Sequence, residues 1–372
     1  MNRPTPSALP LLSNCTTLAA AALLVTALWL PNPAQAQASK QRPDSAAAAS
    51  SYARHEAAQR FAAELDLRQG WSDGWASLWL ARAERLPQVI RLMAPAPPGT
   101  SKNWAAYRAR FVEPRRLQAG LRFWQQHAAT LQRAEEAYGV PAWLVVGIIG
   151  VETLYGQHTG QFRVLDALTT LAFDFPAEHP RAAQRTEFFR AELAAFLALA
   201  RAQGGRPQDW RGSYAGAMGL PQFMPSNWER FGVDFDGDGR VDLLNSPSDA
   251  IGSVARYLQA YGWQPGMPTH YPVRFDTATL DLEALLAPDI LPTFSVASFQ
   301  AKGAMLDGVA LQHTGPLALV ELENGDPAQG GAPRTYVAGT ENFYAITRYN
   351  WSSYYAMAVI ELGQAVEALW RR

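Results

Sequence analysis

The chain has 372 residues, 32 basic against 33 acidic side chains, one cysteine, 17% charged and 11% aromatic residues. That length accommodates two or three domains, and the aromatic content excludes a disordered chain. A net charge of -1 supplies no basic field to grip phosphates, which excludes nucleic acid as a partner.

Arg3, the uncharged apolar stretch Leu18 to Leu30 and Ala34-Gln35-Ala36 form the pattern of an export signal cleaved near Ala36, spanning residues 1–36. The apolar stretch falls short of the about 20 residues that cross a bilayer. No transmembrane segment is expected in the mature chain, and a periplasmic location is. Cys15 precedes the apolar stretch, whereas a lipoprotein acceptor cysteine follows it, so lipid anchoring is not expected. Without Cys15 the mature chain can form no disulfide, thiol nucleophile or cysteine-based metal site.

Residues 37–51, rich in Ala, Ser and Gln, read as a lead-in. Between Ala53 and Met93, apolar residues at helical spacing (Phe61 and Leu65; Trp75, Leu78 and Trp79; Leu86, Val89 and Ile90) predict three short helices. Pro95, Pro97, Pro98 and Gly99 mark a connector. Leu117 to Tyr138 is predicted as a long amphipathic helix stopped by Gly139, and Pro141 opens the next, to Tyr155. Further helices are predicted over 185–201, 249–261 and 353–372. Alternation at Tyr271, Val273 and Phe275, with strand-like runs at 317–322 and 335–337, predicts a small β-rich piece. The fold class is therefore mainly α (α+β).

Glu152 is the only residue charged at neutral pH from Pro141 to Tyr155. An apolar setting and the negative end of the helix dipole both disfavour its anion and raise its pKa, as a general acid requires. The plainer reading is a solvated residue at a fraying helix end. The segment Ser213-Tyr-Ala-Gly-Ala-Met-Gly-Leu-Pro-Gln222 combines small residues that permit close backbone approach with neutral hydrogen-bonding groups. It suits an uncharged, hydroxyl- and amide-rich ligand, or is a structural turn. Asp234, Asp236, Asp238, Arg240 (through its backbone carbonyl), Asp242 and Asn245 fall at positions 1, 3, 5, 7, 9 and 12 of an EF-hand-type calcium loop. Asn245 replaces the usual bidentate glutamate, so a weak structural calcium site is expected; an Asp-rich turn without metal is the alternative. No organic cofactor is expected. Tyr349, Asn350, Tyr354 and Tyr355 could stack on sugar rings and read an acetamido group, or be core packing.

Several long motifs occur together: Tyr107-Arg-x-x-Phe111, Gly147-Ile-Ile-Gly-Val-Glu152-Thr-x-Tyr-Gly156, Ala215-Gly-Ala-Met-Gly-x-x-Gln222-Phe-Met-Pro-Ser226, Asp249-Ala-Ile-Gly-Ser-Val-Ala255 and Asn342-Phe-Tyr-x-Ile-Thr-Arg-Tyr349-Asn350. With the Asp-rich loop, they make the chain from about Arg91 to Val366 resemble the membrane-bound lytic murein transglycosylase B family. The resemblance implies a lysozyme-like helical core over 141–262 that carries the loop 234–245. It also implies an N-terminal helical domain over 37–140, packed with the C-terminal helix region 341–372, and a small β-rich domain over 263–340. Glu152 is implied as single catalytic acid and base, and Tyr107, Ser213, Gln222, Tyr257, Tyr349, Asn350 and Tyr355 as glycan-binding residues. The implied partners are peptidoglycan glycan strands and other cell-wall enzymes, with the protein a monomer. The implied reaction is non-hydrolytic cleavage of the N-acetylmuramic acid to N-acetylglucosamine bond, leaving 1,6-anhydro ends. The rivals are a hydrolytic muramidase, for which Asp166 or Asp174 would have to fold back as second carboxylate, and a non-catalytic peptidoglycan-binding protein. Leu220-Pro221 departs from the aromatic residue and glycine frequent in relatives, and the stretch 176–184 is longer than usual.

Overall fold

The computed structural model describes residues 51–94, 102–325 and 330–372. The export signal, Cys15 and most of the proline-rich connector lie outside the described residues. The helices, in chain order, are α1 (Glu56–Gln69), α2 (Trp75–Leu80), α3 (Pro87–Leu92), α4 (Trp104–Phe111), α5 (Pro114–Tyr138), α6 (Ala142–Thr153) and α7 (Val164–Phe173). They continue with α8 (Ala182–Ala202), α9 (Pro225–Phe231), α10 (Pro247–Ala260), α11 (Leu282–Leu286), α12 (Val296–Ala301), α13 (Glu341–Thr347) and α14 (Ser353–Trp370). Short strands β1 (Phe162–Arg163) and β2 (Arg211–Gly212) pair with each other, as do β4 (Arg274–Phe275) and β5 (Ala304–Met305). A three-stranded antiparallel sheet has the order β3 (His270–Pro272), β7 (Ala332–Gly339), β6 (Ala318–Asn324). The mainly α (α+β) class read from the sequence is the one observed.

Two apolar cores organise the described residues. The larger is helical; the smaller gathers Tyr271, Leu285, Phe299, Leu306, Leu317 and Leu319. Alternation along β6 sends Leu319 to the smaller core and Val320 and Leu322 to the larger, so one sheet serves both.

At the centre of the larger core lies α6. Residues Leu144 to Val151 are all buried, which explains a run without amphipathic periodicity. The long helix before it bends at His127 (φ -121°, ψ 21°) and stops at Gly139 in the left-handed region (φ 67°). Pro141 turns out to be the N-cap of α6, one residue earlier than the sequence pattern places it. The partner of α6 is α14, and the two run antiparallel: Glu152 meets Tyr355, Gly147 meets Val359 and Trp143 meets Gly363. A Cβ on Gly147 would lie 2.4 Å from the Val359 carbonyl oxygen, and one on Gly363 2.2 Å from that of Trp143. Both glycines are therefore required for the backbones to approach this closely. Among the described residues no single helix is long and apolar enough to cross a membrane; α5 and α6 reach that length only as a pair bent by 115°.

Candidate active site

Where α6 ends, Leu154 and Tyr155 both enter the left-handed region (φ 50° and 58°). The reversal stops the helix at Thr153, two residues short of the predicted end, and leaves Glu152 on its last turn. The Glu152 side chain keeps some solvent contact, as a group that must reach a ligand needs. The protein around it is nonetheless dense enough that burial pushes its pKa up from 4.5 to about 7, only partly offset by the hydroxyl of Tyr355. Tyr355 Oη donates to Glu152 Oε1 at 2.7 Å.

Three of the sequence-predicted tyrosines share this environment. Burial, and after it the Glu152 charge, raise the phenol pKa values of Tyr107, Tyr349 and Tyr355. Tyr349 stacks on Tyr355 with ring centroids 6.3 Å apart and planes at 15°, and its Oη donates to Pro221 O at 2.5 Å. Of the predicted binding residues, Tyr107 and Asn350 each bury an atom, Oη and Oδ1, with no hydrogen-bond partner among the described residues. Orphaned polar atoms cost free energy unless a partner meets them, and a phenol and an amide oxygen each suit a neutral hydroxyl- or amide-bearing ligand.

Gln222 and Ser213 lie on the glycine-rich segment. Gln222 adopts a left-handed backbone (φ 51°) and its Nε2 donates to Thr159 O and Gly219 O, both at 3.0 Å. Ser213 Oγ accepts from the Ala217 N–H at 3.0 Å. Tyr257, which the resemblance implies as a glycan-binding residue, packs against Tyr349. It is 3% exposed, beneath Tyr349 at 4.8 Å between ring centroids, and its Oη donates to Arg348 O at 2.5 Å. It supports the ring above it, with its hydroxyl already spent.

The carboxylates nominated for a two-acid site are committed elsewhere. Asp166 pairs with Arg163 at 2.5 Å and accepts from the Glu84 N–H, while Asp174 accepts from Tyr52 and Arg85. A further buried glutamate whose pKa burial raises, Glu192, has both oxygens occupied by Ser226.

Ligand oxygens of Asp234, Asp236 and Asp249 lie within 4.8 Å of one another. The two oxygens of Asp234 accept the N–H groups of Gly237, Asp238 and Gly239, which shapes the loop. Asn245 turns its amide onto Asp242, with Nδ2 3.0 Å from Oδ2, while Asp238 Oδ1 accepts from the Arg240 N–H. The carboxylate missing at position 12 is replaced in the cluster by Asp249, which sequence spacing did not nominate. It lies one helical turn further on, in the first turn of α10, which Ser246 caps. Burial first, and among further causes the Asp236 charge, raise the Asp249 pKa. Three hard oxygen donors so close together fit a divalent cation of the calcium type.

Residues 53–364 match the transglycosylase SLT domain family. The membrane-bound lytic murein transglycosylase B of Escherichia coli (strain K12) is 38% identical over 336 residues, covering 85% of this chain and 84% of that protein. The Escherichia coli lytic transglycosylase Slt35, solved with calcium, superposes with a TM-score of 0.72 at 38% identity, over 85% of this chain and 94% of that one. SltB3 of Pseudomonas aeruginosa, solved with NAG-anhNAM-pentapeptide, superposes with a TM-score of 0.67 at 29% identity, over 84% and 79%. The raised glutamate and these similarities lead to one assignment: the chain belongs to the transglycosylase SLT domain family of peptidoglycan-cleaving lytic transglycosylases.

Proposed function

We propose that this protein cleaves the bond between N-acetylmuramic acid and N-acetylglucosamine in peptidoglycan without water, with Glu152 as the only catalytic acid and base. The observation that carries the reading is a carboxyl raised to about 7 beside the Tyr355 hydroxyl. Glu152 protonates the glycosidic oxygen as the C–O bond breaks, and the substrate's own N-acetyl oxygen stabilises the positive anomeric carbon. The Glu152 anion then takes the proton of the muramic C6 hydroxyl, whose oxygen closes the 1,6-anhydro ring. The acid is thereby regenerated. Tyr107 Oη and Asn350 Oδ1 would orient the sugar, and Tyr349 would present a ring to it. The hydrolytic rival is not favoured, since Asp166 and Asp174 are held by Arg163, Glu84, Tyr52 and Arg85. Nor is the non-catalytic one, which has no use for a carboxyl kept protonated near neutral pH.

Mass spectrometry of digested sacculi tests the reading: anhydromuramic ends are expected, and reducing muramic ends would refute it. Work in the periplasm after export fits a murein substrate.

For the loop 234–245 we propose a calcium ion held by Asp234, Asp236 and Asp249, with a structural role. Its bond to folding is thermodynamic, because a ligand that binds only the folded state raises its stability. Millimolar calcium should raise the melting temperature relative to chelator in the wild type. The double variant Asp234→Asn, Asp236→Asn should lose that response, and an unchanged response would refute the site.

A further inference from the structure

Two successive carbonyl groups, those of Leu220 and Pro221, accept from Thr153, the residue after Glu152, and from Tyr349, which stacks on the Tyr355 that binds Glu152. Thr153 follows Glu152 directly and is 1% exposed. Its Oγ1 donates to Leu220 O at 2.9 Å and accepts from the Gly156 N–H at 3.0 Å. The carbonyl one turn back, Ile149 O, lies farther away at 3.2 Å, so the single hydroxyl proton favours the contact between elements. On the other side, Pro221 O accepts from Tyr349 Oη, Tyr349 stacks on Tyr355, and Tyr355 Oη donates to Glu152.

The dipeptide is fixed from behind as well. The Leu220 N–H donates to Leu243 O at 2.9 Å, and a Cβ on Gly219 would lie 2.2 Å from that same oxygen. Leu220 and Pro221 therefore cannot shift without disturbing both flanks of Glu152. Fixing is needed because Leu154 and Tyr155 hold left-handed conformations, which are strained for residues other than glycine. A helix end carrying that strain relaxes unless its neighbours hold it. The Thr153 oxygen, which binds the Gly156 N–H beyond the strained pair, closes the turn.

We propose that Leu220–Pro221 is the positioning element of the catalytic carboxyl and that Thr153 is the positioning residue through which it acts on Glu152. The proposal rests on Glu152 being the acid. Thr153→Val keeps the shape and removes the hydroxyl; Thr153→Ser restores it. On soluble glycan strands, Thr153→Val should lower kcat about 10- to 100-fold, the scale of an ångström-sized misplacement, with KM within about twofold. The alkaline limb of its pH–rate profile should move away from that of the wild type, and Thr153→Ser should recover most of the rate. Retained kcat in Thr153→Val, or a loss of equal size in Thr153→Ser, would overturn the proposal. If Thr153→Val does not yield folded protein by circular dichroism, Thr153→Ala carries the same comparison. Glu152→Gln is assayed alongside. Its inactivity with anhydro products from the wild type upholds the acid whatever Thr153 does, and an active Glu152→Gln removes both claims.

Discussion

Glu152→Gln should fold as the wild type does and lose about 10²- to 10⁴-fold in kcat, the range supplied by a positioned proton donor. The substitution isolates the proton. A glutamine has the same shape, and its amide oxygen can still accept from Tyr355 Oη, which lies 2.7 Å from Oε1 in the wild type. What it lacks is a proton to give and an anion to take one back, and the reaction needs both. Release of soluble muropeptides from sacculi measures the loss. A variant that keeps more than about a tenth of wild-type turnover would remove Glu152 from the chemistry.

The same substitution should make the protein more stable at alkaline pH, and the sign follows from the direction of the shift. The folded state holds the Glu152 proton up to about pH 7, whereas the unfolded chain releases it near 4.5. Between those values the folded state binds more protons, so its stability falls as pH rises. At about pH 8 the wild type should have lost roughly 2–3 kcal/mol that it holds at about pH 4. Glu152→Gln has no such proton to lose. Urea unfolding of both proteins at these two pH values gives the comparison, in which the other titrating groups cancel. Equal pH slopes for the two would mean that the carboxyl is not raised. Catalysis should show the matching trend, with the wild-type rate falling as pH passes about 7 and the acid loses its proton.

Much of this site is legible in the sequence because its chemistry is a contrast. One carboxylate in an apolar run stands out whatever the fold, and the structure places Glu152 on the last turn of that run. Long amphipathic stretches such as α5 are legible for the same reason, since a periodic face reports a boundary between core and water. Elements without contrast are not. Every residue from Val164 to Ala172 in α7 is buried, so its polar residues Asp166, Thr169 and Thr170 mark no boundary between core and water. Asp249 escaped because the loop's spacing rule ends at position 12, and the carboxylate enters from the following helix. Tyr257 is named by the resemblance alone; no pattern in the sequence tells that its hydroxyl is held by Arg348 O. Thr153 stands in the Glu152-Thr-x-Tyr-Gly156 motif, but its contacts are not legible there, because its partners Leu220 and Gly156 act through the backbone.

The Glu152 to Tyr355 hydrogen bond joins positions 203 residues apart, and it bears on the order in which the enzyme becomes dangerous. A chain made from its N-terminus folds its early portions first. Through most of synthesis the acid has no phenol to meet, and the narrow face of α6 at Gly147 has no helix against it. Only docking of residues 353–370 completes the site. An enzyme so arranged should stay inactive as a nascent chain, and one truncated before Ser353 should never acquire its activity.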